Sequence, residues 1–139
     1  MLNFIARGKK LDIFSEALTG VKSTTKDWVT GERITPDGDE TKCMIHVGKV
    51  NPDFILIDPE TLCYKCPETD YWTNDVLKCT FDEGETYEQV DYVEVYFSQG
   101  AFLVDIEHGE SSSLLVADLK DLGYKVERLG NTIDNPLLS

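Results

Sequence analysis

Four cysteines and two histidines are the side chains of this chain best suited to metal or covalent chemistry. They are Cys43, Cys63, Cys66, Cys79, His46 and His108. Cys63 and Cys66 in CYKC have the spacing of a zinc knuckle, and CMIH offers a second pair with the same spacing. Side chains alternate along a strand, however, so Cys43 and His46 point to opposite faces and cannot hold one metal ion. We therefore expect buried thiols, an exposed turn at CYKC and no metal site, with a site at Cys63 and Cys66 as the weaker alternative.

The sequence offers no clear catalytic centre around either histidine. A Ser or Cys nucleophile needs a His as its base and a carboxylate that orients this base. His108 has Glu107 and Glu110 beside it, yet a His at a strand end before a Ser-rich run is typical of a solvated turn. The chain also lacks a phosphate-binding glycine loop, a dinucleotide fingerprint and an HExxH motif. We expect no enzyme, no catalytic residue and no cofactor.

Net charge is the most unusual property of the chain, at −13 for 26 Asp and Glu against 13 Lys and Arg. Residues 1–50 are nearly balanced, with eight Lys and Arg against seven Asp and Glu. Residues 53–110 hold fifteen Asp and Glu against two cations, Lys65 and Lys78. The sequence therefore predicts a polarised molecule with its negative charge concentrated in the central segment.

This charge excludes some classes of partner and favours another. A strongly negative field repels nucleic acid and anionic lipid, and it attracts basic protein surfaces and speeds association with them at low salt. MLNFIARGKKLDIF places an apolar run before basic residues, the reverse of a secretory signal, and no apolar stretch reaches the roughly 20 residues of a membrane span. We expect a soluble cytoplasmic protein with a basic protein partner and no direct contact with nucleic acid or membrane. Its oligomeric state stays open.

The acidic segment is predicted to form a β-hairpin. Residues 84–110, GETYEQVDYVEVYFSQGAFLVDIEHGE, contain two runs of alternating apolar and polar residues, joined at SQG with Gly100 in the turn. The expected inward side chains are Val93, Val95 and Phe97 on the first strand, and Phe102, Val104 and Ile106 on the second. The expected outward side chains are Tyr92, Glu94, Tyr96, Leu103, Asp105 and Glu107.

Further strands and two helices are predicted around this hairpin. KKLDIFSEALTG has the periodicity of a helix ending at Gly20, with Leu11, Phe14, Ala17 and Leu18 on one stripe. GESSSLLVADLKDLG is predicted as a second helix ending at Gly123, with a stripe of Leu115, Leu119 and Leu122. TKCMIHVGKV, NPDFILIDPE and YKVERLG are predicted strands, and residues 62–75 a long irregular connection. The expected fold is a single α+β domain over residues 1–139: a twisted, mainly antiparallel sheet of five or six strands with two short helices packed on one face.

Carboxylates and aromatic rings of the hairpin make up the predicted binding site. Side chains on one strand face are roughly 6.6–6.8 Å apart and neighbouring strands about 4.8 Å apart, a spacing comparable to that of backbone phosphates. A row of carboxylates interleaved with tyrosines thus imitates nucleic acid and suits a Lys/Arg groove. The predicted partner-binding residues are Asp82, Glu83, Glu85, Glu88, Asp91, Tyr92, Glu94, Tyr96, Asp105 and Glu107, with Tyr71 and Trp72 as further anchors.

The predicted function is to block the basic surface of a nucleic-acid-binding enzyme or complex by imitating DNA or RNA. In overall character this resembles the small inhibitors that phages and mobile elements direct, in the host cytoplasm, against nucleases, restriction or CRISPR complexes and polymerases, or a toxin-immunity protein. No family motif accompanies this resemblance. Two other classes stay open: a ring or assembly subunit of a virion that docks through MLNFI and NPLLS, and a small-ligand-binding domain closed by residues 62–75. Solubility is the simplest alternative explanation of the charge.

Overall fold

The contacts of the chain divide it into two compact units, each built mainly from antiparallel strands. The computed structural model describes residues 5–36, 41–48, 54–82, 88–106 and 112–138. The first unit is Met1–Lys65 and the second is Cys66–Ser139, named unit 1 and unit 2 below. The expectation of one domain over residues 1–139 stays a prediction. None of the helices in the described ranges is long and apolar enough to cross a membrane.

Unit 1 contains the predicted antiparallel sheet of five or six strands. Its strands are β1 (Ala6–Leu11), β2 (Thr24–Gly31), β3 (Arg33–Pro36), β4 (Cys43–His46), β5 (Phe54–Ile57) and β6 (Cys63–Tyr64). The order is β2-β1-β5-β4-β3, and β6 pairs with β1. A 3-10 helix, Pro59–Thr61, follows β5. The strands predicted in TKCMIHVGKV and NPDFILIDPE are confirmed as β4 and β5.

Alternation along the strands decides which side chains form the core of unit 1. Cys43 and Ile45 of β4 are buried and His46 is half-buried, as the sequence predicts. The core cluster consists of Ala6, Cys43, Ile45 and Ile57. Gly31 makes a close backbone approach possible, because a Cβ atom there would collide with the carbonyl oxygen of His46.

The first predicted helix is present but begins later than expected. Helix α1 (Ile13–Thr19) starts after Asp12, whose carboxylate accepts from the Ser15 N–H at 3.0 Å, and ends at the left-handed Gly20. The expected apolar stripe is wrong. Leu11 belongs to β1 and is buried, whereas Phe14 and Leu18 are 75% and 73% exposed.

Unit 2 contains two three-stranded antiparallel sheets. Its strands are β7 (Asp75–Asp82), β8 (Glu88–Glu94), β9 (Tyr96–Ser98), β10 (Ala101–Ile106), β11 (Ser112–Leu115) and β12 (Tyr124–Asn131). One sheet has the order β12-β7-β8 and the other β11-β10-β9. Two 3-10 helices, Val116–Asp118 and Pro136–Leu138, complete the unit. The strand predicted in YKVERLG is confirmed as β12.

The predicted hairpin is only partly correct, because its first strand is divided between the two sheets. Strand β8 pairs with β7, and only the short β9 pairs with β10. Val95, between β8 and β9, donates its N–H to the Asp75 carbonyl and accepts from the Asn74 N–H, both at 2.9 Å. The β9–β10 turn is as expected, with Gly100 at a φ of +82°.

The second predicted helix is wrong over most of its length. Ser112–Leu115 is strand β11, whose residues pair antiparallel with β10. Only the 3-10 helix Val116–Asp118 follows, and Val116 and the next residue, Leu119, are buried. The expected stripe is wrong, because Leu115 and Leu122 are 44% and 48% exposed. A 3-10 helix has three residues per turn, so this short segment reproduces the i, i+3 spacing of a helix stripe. The described ranges therefore contain one α-helix instead of two, and the label α+β fits only roughly.

The core of unit 2 follows the predicted alternation closely. Its buried apolar side chains are Cys66, Val76, Leu77, Cys79, Val93, Val95, Phe102, Val104, Ile106, Val116 and Leu119. Five of the six expected inward side chains of the hairpin are among them. Phe97 remains 38% exposed, although its ring packs 4.9 Å from that of Phe102.

Candidate protein-binding faces of unit 2

The charge of the chain is carried almost entirely by unit 2. Unit 1 has ten Asp and Glu against nine Lys and Arg, a net charge of −1. Unit 2 has sixteen Asp and Glu against four Lys and Arg, a net charge of −12. The predicted charge asymmetry is therefore also an asymmetry between two compact units.

Asp91 does not belong to an exposed binding face. It is 5% exposed and lies on the inward face of β8 with Val93, opposite the buried Cys79 of β7. Burial raises the pKa of Cys79 to about 11, and the neighbouring Asp91 charge adds to the shift. Asp91 therefore acts on the interior of the unit, and a side chain buried to this extent does not fit its predicted role as a partner-binding residue.

The loop that carries Tyr71 and Trp72 is held by Arg128. The Arg128 guanidinium lies 5.1 Å from the centre of the Tyr71 ring, donates to the Asp70 carbonyl and donates from Nε to Asp75 at 3.1 Å. Asp75 is 1% exposed and also accepts from the Trp72 N–H at 2.8 Å. Tyr71 and Trp72 are half-buried. The loop is thus tied to β12, and the role of these two rings in partner binding stays a prediction.

The outer face of the β12-β7-β8 sheet presents an exposed tyrosine beside a cation. Tyr92 is 67% exposed and lies on the same face as the exposed Glu94. Lys78 lies directly opposite Tyr92 on one side and opposite Glu127 on the other. Cross-strand neighbours are about 5 Å apart, so Lys78 is within reach of both side chains. The face that carries these four side chains, named the Tyr92 face, therefore contains a cation among its carboxylates.

The outer face of the β11-β10-β9 sheet carries an ordered group of oxygen atoms. Asp105 Oδ1 accepts from Tyr96 Oη and from Ser113 Oγ, each at 2.7 Å, and the two hydroxyl oxygens are 3.2 Å apart. These hydrogen bonds hold the pKa of Asp105 below its usual range, with Tyr96 as the larger cause. Leu103 lies between Tyr96 and Leu115 on the same face. We name these five residues the Asp105 face.

The expected continuous row of carboxylates is not formed by the residues that the structure describes. Glu94 and Asp105 lie in different sheets, so no single strand ladder joins them. Glu94 instead accepts from Thr132 Oγ1 at 2.9 Å. The side chains of Asp82 and Glu88, and the residues Glu83, Glu85 and Glu107, lie outside the described part of the chain. Of the predicted residues, the structure brings together Tyr96 with Asp105 and Tyr92 with Glu94.

Ser113 and Arg128 were missed by the sequence analysis. Ser113 stood in a run predicted as a helix cap, although the alternation of Ser113 and Leu115 would also have suited an outward strand face. Arg128 had no sequence signal, because its partners Asp70 and Asp75 lie more than fifty residues earlier in the chain. Arg128 comes close to these residues because β12 pairs with β7.

All four cysteines are buried and free of disulfide bonds. The expected burial of Cys43 and Cys79 is confirmed, whereas the expected exposure of the turn at Cys63 and Cys66 is wrong, since these residues are 0% and 3% exposed. Burial raises the pKa of Cys43 as it does that of Cys79, which keeps both thiols protonated and poorly reactive. Among the described residues no group of three or more His, Cys, Asp or Glu side chains is arranged to hold a metal ion. His108 lies outside the described ranges, whereas His46 contacts Thr35 Oγ1 at 2.7 Å and Arg33 at 3.2 Å.

A pocket of about 310 Å³ lies in unit 1. Its lining residues are Ile5, Thr30, Gly31, Glu32, His46, Val47 and Gly48. None of them belongs to residues 62–75, where a closing loop was expected. Comparison with known proteins finds no matching family model, and it finds no curated protein or solved structure with significant similarity to this chain.

Proposed function

We propose that unit 2 binds a basic surface on a partner protein that itself binds nucleic acid, and thereby blocks that surface. The observation that carries this proposal is the net charge of −12 on unit 2 beside −1 on unit 1. A field of this sign attracts clustered Lys and Arg and increases the association rate, most strongly at low salt. It also disfavours direct binding of unit 2 to a phosphate backbone.

The exposure of the remaining carboxylates supports this proposal. Asp75 and Asp91 are buried and serve the interior of unit 2. The described carboxylates of unit 2 that are exposed to solvent are Glu68, Asp70, Glu94, Asp105, Asp118, Asp121, Glu127 and Asp134. They lie on both sheets and on the turns. The proposal therefore rests on the field of the whole unit and on local anchors, and it does not need the phosphate-like row.

Two exposed sites in unit 2 have the composition of binding anchors. Tyr92 is 67% exposed, and Tyr96 donates a hydrogen bond to the carboxylate of Asp105 on a face that also carries the exposed Leu115. Aromatic side chains supply much of the energy at protein interfaces, while charges mainly set the rate of encounter and the choice of partner. A partner would thus be attracted by the charge and retained by these side chains.

The test captures partners from a lysate at low and at high salt and then measures whether the protein displaces nucleic acid from the captured partner. We expect that a basic protein is captured at low salt and less at high salt. Fluorescence anisotropy should then show that its labelled nucleic acid is displaced. The variant Asp118→Asn/Glu127→Gln should slow association more than the matched unit 1 variant Asp27→Asn/Glu32→Gln. The proposal would be contradicted if the amount of captured partner were the same at low and high salt. A ternary complex with the nucleic acid still bound would also contradict it.

An assembly subunit is the second candidate, favoured by one observation on unit 1. Ile13, Phe14, Leu18 and Val21, on α1 and just after it, are all more than half exposed. Apolar groups clustered in this way often mark a contact with another protein chain. Light scattering coupled to size-exclusion chromatography should then show an oligomer that Phe14→Ser/Leu18→Ser dissociates. A monomer at all concentrations would remove this candidate.

A further inference from the structure

The oxygen atoms of the Asp105 face are arranged as hydrogen-bond acceptors only. A hydroxyl group has one hydrogen to donate, and the hydroxyls of Tyr96 and Ser113 both donate it to Asp105 Oδ1. Their oxygens, together with Asp105 Oδ2, therefore have lone pairs left for a ligand but no hydrogen. Because Asp105 is exposed and its pKa is lowered, the group is an anion at neutral pH. Such a site accepts a cation with several N–H donors and disfavours an anion.

The surroundings of these oxygens favour a long side chain over a small ion. Leu103 lies in register with both Tyr96 and Leu115, so the three side chains form an apolar row across the sheet. Leu115 is 44% exposed. An apolar row beside an anionic group suits the alkyl stem of a basic residue whose charged end reaches the carboxylate. The two described side chains that hydrogen-bond to the Asp105 carboxylate, Tyr96 and Ser113, are both uncharged.

We propose that the Asp105 face receives an arginine side chain of the partner. The guanidinium donates to Asp105 Oδ2 and to the neighbouring hydroxyl oxygens, and its stem lies along Leu115. Arginine fits better than lysine because its planar fork presents five donors to separated acceptors, is weakly hydrated and stacks on a tyrosine ring. This inference rests on the proposed function and specifies which group of the basic partner unit 2 recognises.

The test uses two capped peptides, octa-arginine and octa-lysine, as probes for the full-length chain. We expect octa-arginine to bind several-fold more tightly than octa-lysine at the same ionic strength, and NMR shifts on binding to be largest at Leu103, Asp105 and Ser113. Asp105→Asn should lower the affinity for octa-arginine by about tenfold, the usual cost of losing a charge-assisted hydrogen bond. Glu127→Gln, which removes the same charge from the Tyr92 face, should weaken it by less than about twofold.

Each outcome of this test supports or overturns one of the two proposals. If neither peptide binds the wild-type chain in a salt-sensitive manner, the proposed function fails. If both bind but Asp105→Asn and Glu127→Gln weaken binding equally, the arginine site fails while the attraction to basic surfaces stands. Tyr96→Phe provides a second variant, since it keeps the ring and removes one acceptor. It should lower the preference for octa-arginine, and an unchanged preference would contradict the site.

Discussion

Units 1 and 2 use charge inside their folds in the same way but differ greatly in the charge they expose. Each contains a buried aspartate that is paired with a cation: Asp58 with Lys22 at 3.0 Å, and Asp75 with Arg128 at 3.1 Å. Each also places a guanidinium over an aromatic ring, Arg7 over Trp28 and Arg128 over Tyr71. Yet their net charges are −1 and −12.

Because unit 1 also folds into antiparallel strands at a net charge of only −1, we expect that the fold of unit 2 does not require its acidity. A buried carboxylate is tolerated when a cation and hydrogen-bond donors compensate for its lost hydration, and one such group serves each unit. The exposed carboxylates of unit 2 do not take part in such a buried pair. Their mutual repulsion opposes the compact structure. Under the proposed function, the surplus charge serves binding to a basic protein surface instead of the fold.

The largest effect is expected from shortening one core side chain in each unit. Ile57 and Leu77 are fully buried, so Ile57→Ala and Leu77→Ala should each lower the free energy of unfolding by about 3 kcal/mol. The chain has one tryptophan in each unit, Trp28 and Trp72, and their fluorescence in single-tryptophan backgrounds reports urea unfolding of the two units.

The control for this prediction is Leu122→Ala, which shortens an exposed side chain of unit 2. It should cost less than about 1 kcal/mol. If Leu77→Ala cost no more than Leu122→Ala, the sheet β12-β7-β8 would not have the core described above.

An equal or smaller loss of stability is expected from removing the buried carboxylates. Asp75→Ala leaves Arg128 Nε and the Trp72 N–H without their acceptor and should lower the free energy of unfolding by about 3 kcal/mol, and Asp58→Ala by about 2 kcal/mol. Asp70→Ala is the matched control, because Arg128 uses only the main-chain carbonyl of Asp70. Equal costs for Asp70→Ala and Asp75→Ala would show that the buried pair does not hold the loop.

Acid should destabilise unit 1 through Asp58. Burial raises the pKa of this carboxyl, but hydrogen bonds from Lys22, Thr24 and Glu60 outweigh burial and hold it below the ordinary value of 3.8. Because the folded pKa lies below the unfolded one, the ionised carboxylate contributes stability above pH 3.8, and this is lost as the pH falls through the folded pKa. Trp28 fluorescence should report a steeper loss of stability in this range for the wild type than for Asp58→Asn. Equal pH profiles would contradict the assignment.

The smallest effect on folding is expected from neutralising exposed acids of unit 2. Asp118 and Glu127 are exposed, so Asp118→Asn/Glu127→Gln should change the free energy of unfolding by no more than about 0.5 kcal/mol at each position. The same variant should slow association with a basic partner. A large loss of stability, measured by urea unfolding through Trp72, would mean that this charge serves the fold and would weaken the comparison.

Local alternation was enough to predict much of the core. Phe102, Val104 and Ile106 are buried as expected, because the period of two along a strand is visible in a few residues. The same rule places Asp91 on the inward face with Val93 and Val95. Its charge led us to expect that it is exposed, although the alternation along the strand correctly indicated an inward side chain.

Strand pairing was the part that local patterns did not reveal. Residues 91–97 alternate without interruption, yet the chain leaves one sheet after Glu94 and joins another at Tyr96. Ser112–Leu115 forms a strand because β10 offers it backbone partners, and the leucine spacing that follows equally suits a helix or a 3-10 turn. Segments with two compatible patterns take the structure that their neighbours stabilise.

The sequence by itself determined the total charge, its concentration in the second half of the chain and most of the inward side chains, since these follow from composition and from a period of two. Only the tertiary structure decided that Lys78 lies beside Tyr92, that Arg128 pairs with Asp75, and that Tyr96, Asp105 and Ser113 share one face. The physical reason is that hydrogen bonds between strands distant along the chain assemble a face of a sheet. Local periodicity does not specify which strands pair.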